Sequence, residues 1–103
     1  SSATIRERVL RVRALQVQRY AECPGVRCNA DLPSGLLHRL CPLEPAAEAI
    51  LRAAMDELAL TARAYARILR VARTIADMAG AETIARAHLF EAIQYRALDR
   101  ALW

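Results

Sequence analysis

The stretch from Ala62 to Ala79 leaves this chain little choice of architecture. Its apolar residues Tyr65, Ile68, Leu69, Ala72, Ile75, Ala76 and Ala79 recur at intervals of three and four. At roughly 100° per residue they fall on one side of an α-helix. No Gly or Pro interrupts the stretch. Thr61 stands where an N-cap belongs, and Gly80 where a helix stops. Arg63, Arg67, Arg70, Thr74 and Asp77 lie on the opposite side. Arg73 and Asp77, four apart, are spaced to pair on the helix surface, a contact worth a few tenths of a kcal/mol. A helix with so marked an apolar stripe is stable only against partners, so the rest of the chain must supply them.

It supplies more helices. From Ile5 to Tyr20 there is no Gly or Pro, and Ser2 or Thr4 can cap the start. Ile5, Val9, Val12 and Tyr20 form one stripe, with Gln16 among them, and Arg6, Arg8, Arg11, Arg13 and Arg19 surround it. The pattern fails from Ala21 to Ser34, where Pro24-Gly25 and Pro33-Ser34-Gly35 are turn chemistry. Asn29 in this stretch is suited to capping or closing a turn. A short helix is expected over Gly35 to Leu40, capped by Ser34. Pro45 suits the first turn of the next helix, which should run to about Leu58 and bury Ala46, Ala49, Ile50, Ala53 and Leu58. The last helix is expected from Arg86 to Leu98 or a little beyond. Leu89, Ala92, Ile93 and Arg96 share its spacing, and Leu98 and Leu102 extend the surface. Tyr95 reads as a core residue and His88 as a packing or hydrogen-bonding one. No alternating strand pattern occurs. The expectation is one all-α domain of four or five helices over residues 1–103.

Composition then excludes whole classes of function. The length is 103 residues and 55% of them are hydrophobic, enough for a core without disulfide or metal support. No apolar run approaches the roughly 18 residues of a membrane span, and no signal-peptide pattern opens the chain. A soluble, cytoplasmic setting is expected. The chain starts Ser1-Ser2-Ala3 rather than with Met, which fits a piece of something longer. Cys23, Cys28 and Cys41 are an odd set, and His38 and His88 are far apart, so free thiols are expected rather than a disulfide framework or a zinc set. The net charge is +4, and all fifteen basic residues are Arg. A phosphate-binding P-loop ends in GK[ST], and a chain without Lys cannot carry one. The chain by itself is therefore not a complete ATPase.

Periodicity stops short of function, and here a resemblance takes over. Leu60-Thr61-Ala62-Arg63-Ala64-Tyr65 and Arg67-Ile68-Leu69-Arg70-Val71-Ala72-Arg73-Thr74-Ile75-Ala76-Asp77 resemble the C-terminal region of magnesium-chelatase-like AAA+ ATPases of the ComM/YifB type. His88-Leu89, Glu91-Ala92-Ile93-Gln94-Tyr95-Arg96 and Leu98-Asp99-Arg100 continue the resemblance, and Ile5-Arg6, Arg8-Val9, Arg13, Gln16 and Asn29-Ala30 extend it to most of the chain. Three departures stand out: Val12 where the family tends to Ala, Ala85 where a helix cap is expected, and a longer insertion over Cys23 to Arg27.

The resemblance implies a lid domain whose catalytic core lies elsewhere in the parent protein. In such lids an Arg near the start of a helix, the sensor 2 residue, reaches the outer phosphate of bound nucleotide; Arg63 matches that position. Arg67, Arg70 and Arg13 are further candidates for interface or phosphate contacts. ATP and Mg2+ are implied for the parent, with no cofactor held by this chain alone. The implied partners are the parent's own ATPase core, neighbouring subunits of a hexamer, and DNA. Chelatase relatives work on porphyrin instead, and the ComM-like motifs favour DNA. A stand-alone basic helical module that binds nucleic acid or protein is the alternative. The segment after Gly80 is longer than the usual helix-turn-helix connection.

Overall fold

Five α-helices account for most of the chain. They are α1 (Ser2–Arg19), α2 (Leu37–Leu40), α3 (Pro45–Glu57), α4 (Ala62–Met78) and α5 (Arg86–Leu102), with short 3-10 turns at Asn29–Asp31 and Ser34–Leu36. The computed structural model describes the backbone of residues 2–102 and the side chains of residues 2–95. Arg96, Leu98, Asp99, Arg100 and Leu102 therefore lie outside the described side chains. Among the described residues, no helix is long and apolar enough to cross a membrane.

Helix α4 is the spine, packed against α5, α1, α2 and the Asn29–Asp31 turn. Its N-terminus is capped as its sequence predicts: the Thr61 hydroxyl oxygen accepts from the Ala64 amide at 3.1 Å. Its C-terminus closes in a Schellman motif. The Ala81 amide donates to the Ala76 carbonyl at 2.9 Å and the Gly80 amide to the Asp77 carbonyl at 3.0 Å. Gly80 takes the left-handed conformation this requires, with φ of 75°. Helix α3 ends the same way, the Leu60 amide donating to the Met55 carbonyl. There the left-handed position is filled by Ala59, with φ of 48°.

Tyr20 and Leu32 from the long connection between α1 and α2 (residues 20–36), Leu37 from α2 and Leu51 from α3 meet Ile68, Leu69, Ala72 and Ala76 of α4 and Leu89 of α5. Removing the apolar bulk of a side chain such as Leu69 costs about 2–5 kcal/mol in a core of this kind. The segments leading into α3 and α5 run side by side. The Ile84 amide donates to the Pro42 carbonyl at 2.8 Å and the Glu44 amide to the Ile84 carbonyl at 3.0 Å. Residues 79–85 thus form a tied-down connection rather than a short helix-turn-helix turn.

Several sequence-based expectations need correction. Helix α1 starts at Ser2, ahead of Ile5, and buries Val12 and Gln16 while Ile5 is exposed. Ser34 opens the 3-10 turn Ser34–Leu36 instead of capping a helix, and α2 begins only at Leu37, with Leu36 at its N-cap and no side-chain cap bond. Helix α3 buries Ala47 and Leu51, whereas Ala46, Ala49, Ala53 and Leu58 face solvent. Alanine lies on all sides of α3, so spacing cannot choose its inner face. Tyr95 is not core. It is exposed, and its hydroxyl donates to Glu91 one turn earlier. His88 performs half of a capping box: its Nδ1 accepts the Ala85 amide at 3.0 Å, which compensates for the absent cap residue. Cys41 is buried, and that burial pushes its thiol pKa up.

Candidate functional site

The two ends of α4 carry arginines in opposite circumstances. At the C-terminal end, Arg73 and Asp77 are both buried, not paired on the helix surface as their spacing suggests. The reason is that α1 and the Asn29–Asp31 turn cover this side of α4, which sequence periodicity assigns to solvent.

Asp77 is the centre of that buried cluster. Arg19 of α1 binds its carboxylate with both terminal nitrogens, at 2.6 and 2.8 Å, a bidentate arrangement. Arg73 Nε donates to the same carboxylate at 3.2 Å, while its other nitrogens donate to the Ala81 and Glu82 carbonyls at 2.7 and 2.8 Å. Asn29 Nδ2 donates to Asp77 at 2.9 Å and to the Thr74 hydroxyl at 3.0 Å. The Tyr20 hydroxyl and Arg19 both donate to Asn29 Oδ1. Gln16 closes the set: its Oε1 accepts the Asn29 amide at 3.0 Å. Among the described residues no buried side-chain nitrogen or oxygen lacks a partner. Burial opposes ionisation of Asp77, yet the hydrogen bonds from Arg19 and Asn29 and the charges of Arg73 and Arg19 outweigh it, holding the carboxyl below its ordinary range. The same carboxylate, chiefly through its hydrogen bond, raises the pKa of the Arg19 guanidinium against the opposing effect of burial. The cluster locks α1, the long connection, α4 and the α4–α5 segment together. Asn29 is its hub rather than a simple turn-closing residue.

The N-terminal end of α4 is open. Arg63 lies in the first turn, exposed, with no hydrogen bond or ion pair to another described residue. The amides of a helix's first turn lack intrahelical acceptors and carry partial positive charge, so an anion is favoured there. With Thr61 serving Ala64, the Ala62 and Arg63 amides remain available beside the guanidinium. Arg67 is exposed one turn along on the same side. Arg70 differs: its Nε donates to the Leu32 carbonyl at 2.8 Å, which spends part of its guanidinium on holding the long connection. Arg13 is exposed on α1, not on the α4 turn that carries Arg63 and Arg67. Near the start of α4, Tyr65 contributes to a half-open cleft of about 410 Å³ that it shares with His38, Cys41, Leu51, Met55 and Asp56.

The buried cluster is what sequence reasoning misses. Its one visible signal is Gln16, a polar residue inside the apolar stripe of Val9, Val12 and Tyr20. A buried amide needs partners, and that requirement points to a polar counterpart on the facing helix.

Comparison with known proteins gives the family. Residues 1–96 match the family described as magnesium chelatase, subunit ChlI C-terminal. The chain is 43% identical over 102 residues to competence protein ComM of Haemophilus influenzae and 41% identical over 102 residues to the protein YifB of Escherichia coli K12. YifB of Salmonella typhimurium is 39% identical over the same length. Each alignment covers 99% of this chain but 19% of the relative, so the chain spans about a fifth of the length of the curated proteins it matches. The chain belongs to the magnesium chelatase subunit ChlI C-terminal domain family, in its ComM/YifB form.

Proposed function

We propose that this domain is the lid of a ring-forming AAA+ ATPase of the ComM/YifB type, acting in the cytoplasm on DNA, and that Arg63 is its nucleotide sensor. The observation that carries the assignment is the difference among the α4 arginines. Arg70 and Arg73 are engaged inside the domain, whereas Arg63 stands exposed in a helix's first turn with its guanidinium uncommitted among the described residues. A planar guanidinium beside helix N-terminal amides suits the oxygens of an outer phosphate.

ATP and Mg2+ would be held by the parent's core; bound there, they would supply the phosphoryl group and offset its charge. This chain has no Lys and so no P-loop of its own. The role left to its residues is to neutralise charge on the outer phosphate and to convert loss of that phosphate into movement of a rigid lid. Rigidity comes from the Asp77 cluster, which ties α4 to α1 and to the connection. Arg67, on the same side, can add a second contact, and Arg13 on α1 is free to face a neighbouring subunit. The net charge of +4 is modest, so the domain alone should bind DNA weakly, without sequence preference, and with strong salt dependence.

The test is steady-state ATP turnover of the full-length protein carrying Arg63→Ala. Loss of a hydrogen bond to a charged group costs about 1.5–3 kcal/mol, equivalent to a roughly ten- to hundredfold lower rate if it acts in the transition state. Arg86→Ala is the control, because Arg86 is also exposed in the first turn of a helix but on α5. Wild-type turnover in Arg63→Ala, or an equal loss in Arg86→Ala, rules out the assignment.

A further inference from the structure

The first half of α1 outruns the domain. Of residues 2–11 only Val9 is half-buried and the rest are exposed, whereas Val12 and Gln16 further along are buried. Ile5 continues the stripe of Val12 and Gln16 yet is 64% exposed, so no described side chain covers this end. Residues 2–11 make about 15 Å of free helix. On and just beyond it stand Arg6, Arg8, Arg11 and Arg13, against a single acidic residue, Glu7. All four arginines are exposed, and none is hydrogen-bonded or ion-paired to another described residue.

The four arginines follow a pattern. At about 100° per residue, Arg6 and Arg13 fall within about 20° of each other and Arg8 and Arg11 within about 60°. The two pairs lie on opposite flanks of the helix, about 180° apart. Both stand at right angles to the side on which Gln16 reaches Asp77 of α4. Between the flanks, facing away from the domain, runs an exposed ridge of Ala3, Glu7 and Ala14. The exposed apolar residues divide in the same way, with Leu10 and Val17 on one flank and Leu15 on the other. Helix α1 therefore has no single apolar face to lay on a lipid surface.

We infer that the exposed half of α1 lies in the major groove of duplex DNA, with Arg6 and Arg13 on the phosphates of one strand and Arg8 and Arg11 on those of the other. A helix with its side chains is about 10–12 Å across, and the major groove is about 12 Å wide with a phosphate backbone along each edge. Arginines on both flanks meet both edges, where contacts position a protein without reading sequence. Small Ala3 and Ala14 on the ridge let the helix settle toward the groove floor. Glu7 on the same ridge faces base edges rather than phosphates, and a carboxylate there can accept from the cytosine amino group. This contact rests on the proposed DNA role of the parent and adds the surface that meets the duplex. A neighbouring protein subunit is the competing occupant of α1.

Fluorescence anisotropy of the chain with a labelled duplex of about 20 base pairs tests it. Four phosphate contacts predict a slope of log affinity against log salt of about −3.6, a loss of about a hundredfold between about 50 and 200 mM. Arg6→Ala with Arg13→Ala, and separately Arg8→Ala with Arg11→Ala, should each bring the slope to about −1.8. Arg39→Ala with Arg86→Ala removes the same charge from exposed positions on α2 and α5 and should leave the slope unchanged. A single strand of the same length, which has no groove, should bind more weakly. Circular dichroism confirms that the variants remain helical. Four results each overturn the α1 contact: no binding at about 50 mM salt with up to about 0.1 mM protein, a slope that fails to change with either pair, an equal change in the control, or equal binding of the single strand. Self-association of a chain that ignores duplex gives α1 to a neighbouring subunit and overturns it as well. If this chain ignores a duplex that the full-length protein binds, the α1 contact fails while the DNA role stands; if the full-length protein ignores it too, the DNA role fails with it.

Discussion

Arg73 and Arg63 sit on the same helix, ten positions apart, and have little in common beyond their side-chain type. Arg73 is buried and its guanidinium is fully used by Asp77, Ala81 and Glu82. Arg63 is exposed in the first turn, beside amides that also have no internal acceptor. The difference shows how one amphipathic helix divides its work. One end fixes the position of three other segments, and the other leaves the Arg63 guanidinium uncommitted among the described residues. A buried charge is tolerated only with its partners in place, so the fold depends on the first end. An exposed charge contributes little to stability, so the second end is free for function.

The largest expected effect follows from breaking the buried end. Asp77→Ala leaves Arg19 and Arg73 facing each other without their shared carboxylate and should cost about 3–5 kcal/mol, a large part of a small domain's stability. Urea unfolding followed by circular dichroism measures it. The ATP turnover of Arg63→Ala comes next, at roughly ten- to hundredfold, with little change in the unfolding midpoint.

Acid sharpens the same comparison. The carboxyl of Asp77 titrates below its ordinary range in the folded state. Its contribution is therefore complete above its unfolded pKa of about 3.9 and is lost as pH falls through the lower folded value. The stability gap between wild type and Asp77→Asn should stay constant from neutrality to about pH 5 and narrow below about pH 4. A gap that stays the same down to pH 2 would show that the charge of Asp77 is not what holds the cluster.

The smallest effect lies away from α4. Ala59 adopts a left-handed conformation that costs a non-glycine residue about 1–2 kcal/mol. Relief of that strain, less the greater chain entropy of glycine, should make Ala59→Gly more stable by about 0.5–1 kcal/mol. A shift of the melting temperature of a few degrees upward is the expected reading.

How much of this the sequence discloses depends on distance along the chain. The α4 cap at Thr61, the stop at Gly80 and the proline at the start of α3 are local signals, and each is where local rules put it. The inner face of α3 is obscured because exposed Ala46, Ala49 and Ala53 share helical spacing with Ile50 just as the buried Ala47 and half-buried Ala54 do, and only the bulk of Leu51 favours the true face. The Asp77 cluster is hidden for a different reason. Its bidentate Arg19–Asp77 contact joins residues 58 positions apart, and an i,i+4 Arg–Asp pair looks the same in sequence whether it is solvated or covered. Arg63 is the reverse case: its resemblance to a nucleotide sensor is visible in sequence, and what the structure adds is its exposure and its lack of an internal partner among the described residues.

The division of labour along α4 is the central claim, and side-by-side urea unfolding of Arg73→Ala and Arg63→Ala in the isolated domain tests it most directly. The account predicts a loss of about 1–3 kcal/mol for Arg73→Ala, which takes one of two guanidiniums from Asp77 and leaves the Ala81 and Glu82 carbonyls without that donor, and less than about 0.5 kcal/mol for Arg63→Ala. Equal losses, or a larger loss at Arg63, would contradict it.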